Sequence, residues 1–173
     1  MKKIILFIAP LLIYVACTNN NSASNNAGVV AVEDRGNNPN FKDTLFDKSF
    51  QTYLDLKDAF ILDNNEGAAE IAIFLATQLF KCNLAKEAEL AIKISQTTDL
   101  TAQRGLFTLL SSSFVRAVQK ENLQKGKVYI EFCSMANNGK GAYWVSTEKQ
   151  IRNPYFGDDM LKCGEIKEEI ITK

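Results

Sequence analysis

Apolar residues recur every three to four positions from Asp43 to Val118 and then alternate after Glu121, and this change of period restricts the chain to helices first and strands second. Phe46, Phe50, Tyr53, Leu54 and Ile61 form one stripe, predicting a helix from about Asp43 to Leu62 that Asp63-Asn64-Asn65 breaks. Ala68, Ile71, Ala72, Leu75 and Leu79 form a second stripe whose small residues permit close helix approach, with Asn64 or Asn65 as its cap and Asn83 as its end. A shorter helix follows from about Leu84 to Ser95, with Leu84, Ala88, Ala91 and Ile92 on one face. Thr98 or Asp99 can cap a fourth, in which Leu100, Phe107, Leu110, Ser111, Phe114 and Val118 align.

Beyond Gly126, the run Lys127-Val128-Tyr129-Ile130-Glu131-Phe132 reads as a strand with Val128, Ile130 and Phe132 on one face, and Glu165 to Ile171 as a second. The expected fold is therefore mainly α: a four-helix bundle followed by a small C-terminal β-hairpin with a long Gly-, aromatic- and sulfur-rich loop. That loop runs from Cys133-Ser134-Met135 through Gly141-Ala142-Tyr143-Trp144 and Ile151-Arg152-Asn153-Pro154-Tyr155-Phe156-Gly157 to Met160-Leu161-Lys162-Cys163-Gly164.

The N-terminal portion sets the expected compartment. Lys2 and Lys3 precede an apolar run from Ile4 to Val15, so residues 1–16 read as a secretory signal peptide. The run falls short of the roughly 18 to 20 residues a spanning helix needs. Ile13-Tyr14-Val15-Ala16-Cys17 resembles a lipobox, with Tyr14 where leucine is usual, and this implies cleavage before Cys17 and lipidation of its thiol. Residues 17–40 are rich in Asn, Ser, Ala and Gly and read as a lipidated flexible tether. Residues 41–173 then form a single domain, expected in the bacterial cell envelope, lipid-anchored and facing the periplasm or the cell exterior.

Charge and composition exclude several functions. The chain has 20 Lys and Arg against 20 Asp and Glu, and loss of Lys2 and Lys3 with the signal leaves a net charge of −2. No basic cluster suits a nucleic-acid backbone. With His 0, no imidazole can activate a serine or cysteine, and no histidine-bearing zinc site can form. Glu131, Glu148 and the pair Asp158-Asp159 are the carboxylates available for acid/base work, but solvated turns carry such residues routinely, and the expectation is of a chain that is not an enzyme.

The loop text is similar to the signature of an uncharacterised domain family of Gram-negative envelopes, roughly CPMA, GAYWLS, IRNPYFG and MLxCG. The resemblance extends to Tyr53-Leu54-Asp55-Leu56-Lys57-Asp58-Ala59 and to Gln103-Arg104 with Phe107, Leu110 and Ser111, and departs at Ser134 and Val145, where proline and leucine are usual. It implies a lone lipoprotein or an extension of a periplasmic adaptor in heavy-metal and copper efflux, with efflux or other envelope proteins as partners. It implies no established reaction.

As chemistry, Cys133, Met135, Met160 and Cys163 place two thiols and two thioethers at the two ends of one loop, a donor set that favours Cu(I) over Zn(II) or Mg(II). Two readings stay open. Either this is a soft-metal site, or Cys133 and Cys163 form a structural disulfide, as cysteines in an oxidising compartment often do, with the methionines filling core. If the two strands pair antiparallel, both sulfur groups reach the same end of the hairpin. Cys82 reads as a buried helix thiol. Tyr143, Trp144, Tyr155 and Phe156 read equally as an interaction surface or as the small core beneath the loop, while Arg152 and Asn153, also candidates for that surface, read as fixing the loop through hydrogen bonds.

Overall fold

The computed structural model describes residues 37–172. Four helices form the body: α1 (Thr44–Ile61), α2 (Asn65–Lys81), α3 (Ala85–Ser95) and α4 (Leu100–Val118). Three of the four starts are capped by a side chain, and α3 begins after Leu84 without one. Asp43 accepts hydrogen bonds from the amides of Leu45 and Phe46, Asn64 from that of Gly67, and Asp99 from that of Ala102, at 2.8, 3.1, 2.8 and 2.6 Å. The ends of α1 and α2 are set by Asp63 and Asn83, which adopt left-handed backbone (φ 55° and 59°) that short polar side chains tolerate.

Consecutive helices pack side by side, and the small residues Ala68, Ala72 and Ala76 of α2 and Ala88 and Ala91 of α3 are fully or almost fully buried between them. Helices α1 and α4 meet through aromatic rings instead. Tyr53 stacks on Phe114 at 4.4 Å between centroids, Phe46 on Phe114 at 5.6 Å, and Phe60 lies 4.9 Å from Phe107. The stripes expected from periodicity are thus the faces that form the core.

Among the described residues five strands complete the fold. β1 (Asn40–Phe41) pairs antiparallel with β2 (Leu123–Lys125), while β3 (Lys127–Cys133) lies at the centre of a second sheet between β4 (Ala142–Ser146) and β5 (Glu165–Ile171). Both pairings of β3 are antiparallel. The expected antiparallel pairing of β3 with β5 is therefore present, but what read as a continuous loop contains β4, so a three-stranded sheet stands where a two-stranded hairpin was expected. The reason is cross-strand burial: Trp144 pairs with Glu131 and Val145 with Ile130, and all four side chains leave solvent.

The expected boundary between tether and domain also moves. Asn37 donates to the carbonyls of Lys127 and Thr147 (2.7 and 3.1 Å) and accepts from the Lys127 amide. Phe41 is buried against Phe46 and Phe50. Residues 37–40, assigned above to the tether, belong to the folded unit because Asn37 bonds the start of β3 and the residue after β4, and Asn40 pairs with Lys125 of β2. The signal segment, Cys17 and the rest of the tether lie outside the described residues. No helix among the described residues is long and apolar enough to cross a membrane.

Candidate functional site

The register of β3 with β5 places Phe132 opposite Glu165, so the chain leaving β3 and the chain entering β5 run side by side. Cys133 and Cys163, 30 residues apart in sequence, consequently bring their sulfurs to 2.8 Å. Cys133 is 1% exposed and Cys163 is half-buried. The hydrogen bond to Cys133, then burial and the neighbouring charge, push the Cys163 thiol up to about 11. A thiol raised this far is a poor nucleophile at neutral pH.

The two methionines are placed differently. Met135 stands 54% exposed at the start of the turn Ala136–Gly139, in which Asn137 and Asn138 take left-handed backbone (φ 53° and 55°). Met160 is half-buried at the end of the single 3-10 turn Gly157–Met160. Among the described residues no three His, Cys, Asp or Glu side chains group as a metal site. Two thiolates on one tetrahedral ion, with bonds of about 2.3 Å, would stand roughly 3.8 Å apart. The observed pair is closer than that, so a shared ion does not fit without the sulfurs separating.

The candidate interaction residues divide. Trp144 and Asn153 are fully buried and Tyr155 nearly so, which places these three in the core beneath the loop and not on a surface. Their polar handles explain it. Asn153 donates to the Cys163 carbonyl (2.7 Å) and accepts from the Tyr155 amide (2.8 Å), and the Tyr155 hydroxyl donates to the Tyr143 carbonyl (2.5 Å). Trp144 meets Tyr155 edge-on at 5.9 Å, and Tyr155 meets Phe107 of α4 at 5.8 Å. Tyr143 is exposed, its ring 4.6 Å from that of Phe132, while Arg152 and Phe156 are half-buried. Arg152 reaches Glu148 at 3.8 Å.

Two clamps fasten this layer to the helices. Arg104 of α4 donates through Nε to the Pro154 carbonyl (2.9 Å) and through Nη2 to the Phe60 carbonyl (2.6 Å) and to Asp63. Gly157, in left-handed backbone (φ 54°), lies so close to Asp63 and Arg104 that a Cβ there would collide with both. The Tyr53 hydroxyl bonds Ser111 Oγ (2.7 Å) and accepts from the Val145 amide (3.2 Å), tying β4 to α1 and α4.

A third group was hidden by its own charge. Lys57 and Asp58 of α1 are buried and paired at 2.9 Å, and Glu131 of β3 is fully buried. Both Glu131 oxygens and Trp144 Nε1 lack a hydrogen-bond partner of good geometry, although the indole lies near enough to favour the carboxylate. Burial dominates over the favourable Lys57 charge and pushes the Glu131 carboxyl up to about 8. Glu131 is thus uncharged near neutral pH. Asp158 and Asp159 are exposed on the 3-10 turn, whereas Glu148 lies near enough for its charge to raise the Glu131 carboxyl further. Cys82 caps α2 beside Ser49 (3.3 Å), and burial raises its thiol.

Fold and site together define a small helical domain carrying a clamped C-terminal sheet with a thiol pair at one end. Residues 49–126, from within α1 to just past β2, match the model of the family described as "Protein of unknown function (DUF3347)". No curated protein and no solved structure matches the chain.

Proposed function

We propose that the chain is a lipid-anchored module of the bacterial envelope that presents a surface to other envelope proteins without catalysing a reaction, its C-terminal sheet fixed by a Cys133–Cys163 disulfide. The observation that carries this reading is the 2.8 Å approach of the two sulfurs across 30 residues. The raised Cys163 thiol and the burial of Cys133 support a structural bridge over a reactive one, because exchange needs an accessible thiolate. Placement supports it too. Asn37, where the described chain begins, lies against Lys127 at one end of β3, and Cys133 ends the strand about 20 Å away, at roughly 3.3 Å per residue. An anchor on Cys17 would therefore hold the domain by the end opposite Met135 and Tyr143.

The test is thermal unfolding of the full chain with and without reductant, beside the Cys133→Ser/Cys163→Ser variant. A bridge closing this loop contributes roughly 2 to 4 kcal/mol, so reduction should lower Tm of the wild type to that of the variant and leave the variant unchanged. Equal Tm values throughout would refute the bridge.

A second reading, soft-metal binding in efflux or homeostasis, is favoured by the exposure of Met135 two residues from Cys133. In that reading the reduced chain binds Cu(I) through Cys133 and Cys163, with Met135 and Met160 as thioether donors. Competition with a chromophoric Cu(I) chelator decides it: Met135→Leu/Met160→Leu should weaken binding, and unchanged affinity in the double serine variant would rule the site out.

A further inference from the structure

Helix α2 buries Ala68, Ala72, Leu75 and Leu79 against its neighbours but leaves large apolar side chains on its outer face. Phe74 is 67% exposed, Phe80 48% and Ile73 47%. Scattered exposed apolar residues are ordinary, but these three share one side of one helix, since Ile73 and Phe80 are seven positions apart and Phe74 lies between them.

The charges on this face are ordered along the axis. Glu66 and Glu70 are exposed at its amino end and Lys81 at its carboxyl end, with no acidic residue from Ile71 through Lys81. A parallel neighbour of the same sequence would set Glu against Glu and align the helix dipoles. An antiparallel one sets Glu70 against Lys81 twice and opposes the dipoles. The acid half of the face also repels anionic lipid.

We propose that this face pairs with α2 of a second copy of the chain, antiparallel about a twofold axis passing between Phe74 and Thr77. In that register Glu70 of each copy meets Lys81 of the other, and Phe74 of each copy covers Thr77 of the other. The surface is self-complementary, as a twofold interface requires. One face of a 17-residue helix is about 25 Å long and gives a small interface, so the association is weak in dilute solution and is favoured where copies share a membrane. The pairing rests on α2 and its enrichment on the lipid anchor proposed above, and both are independent of the state of Cys133 and Cys163.

Zero-length carbodiimide crosslinking of the full chain, in membranes of cells that express it, tests the register. Within one helix Glu70 and Lys81 are about 16 Å apart, too far for a direct amide, so a Glu70–Lys81 link in the peptide map reports two copies. The wild type should give a dimer carrying that link. Phe74→Glu should cut its yield at least tenfold, with the helical circular dichroism unchanged. Glu70→Lys alone should abolish the link, and Glu70→Lys combined with Lys81→Glu should restore it with donor and acceptor exchanged. A chain that stays monomeric, a yield indifferent to Phe74→Glu, or failure of the double variant to restore the link would overturn the proposal. A monomer that loses binding to phosphatidylglycerol vesicles on Phe74→Glu would overturn it in favour of a lipid surface.

Discussion

Replacing Glu131 by Gln should remove a pH dependence that the wild type carries. The folded carboxyl is pushed up to about 8, chiefly by burial, whereas in the unfolded chain it returns to its ordinary value of 4.5. Between these values the folded protein holds a proton that the unfolded chain has released. A raised folded pKa makes its contribution in full below the unfolded pKa and loses it as pH rises through the folded one. Wild-type stability should therefore fall by about 1.4 kcal/mol per pH unit from this group, or roughly 4 kcal/mol between pH 5 and pH 8. Glutamine has nearly the same shape and no proton to lose, and its amide oxygen can accept from Trp144 Nε1. Urea denaturation of wild type and Glu131→Gln at pH 5.5, 6.5 and 7.5, with the thiol state held fixed, measures the difference. The variant should gain on the wild type with each step in pH. Parallel stability profiles would mean that Glu131 is ionised in the fold, refuting the argument from burial.

Arg104→Ala should cost about 3 kcal/mol in denaturant unfolding, because the Pro154 and Phe60 carbonyls lose their donors and Asp63 its ion pair. Deleting residues 18–36 should leave Tm unchanged, whereas extending the deletion through Phe41 should cost roughly 3 to 5 kcal/mol by removing a buried ring and the Asn37 bonds to Lys127. Cys17→Ala should stop the chain taking up labelled palmitate, and unchanged labelling would refute the anchor.

The helices were legible because each buries one face and its caps are local: Asp43, Asn64 and Asp99 bond amides two or three residues away. The approach of Cys133 to Cys163 was legible too, once β3 and β5 were taken as antiparallel. Strand β4 was harder to see, because its place depends on a partner with Glu131 rather than a hydrophobic residue opposite Trp144. Residues 37–40 looked like tether because Asn37 works through backbone hydrogen bonds that composition does not reveal. Lys57, Asp58 and Glu131 were hidden for the opposite reason: charge ordinarily places residues in water, and only the sheet folding over α1 takes these out of it. Trp144 and Tyr155 fell evenly between surface and core in the sequence, and their contacts with each other and with Phe107 decided for core.

The state of one sulfur pair decides between a structural bridge and a soft-metal site, and thiol counting on the full chain taken directly from its membrane reads that state. Alkylation under denaturing, non-reducing conditions, followed by peptide mass mapping, should label Cys82 alone among the three described cysteines and recover the peptides of Cys133 and Cys163 joined. Recovery of both as alkylated thiols would contradict the disulfide and, with it, the reading of this domain as a module held by a structural bridge.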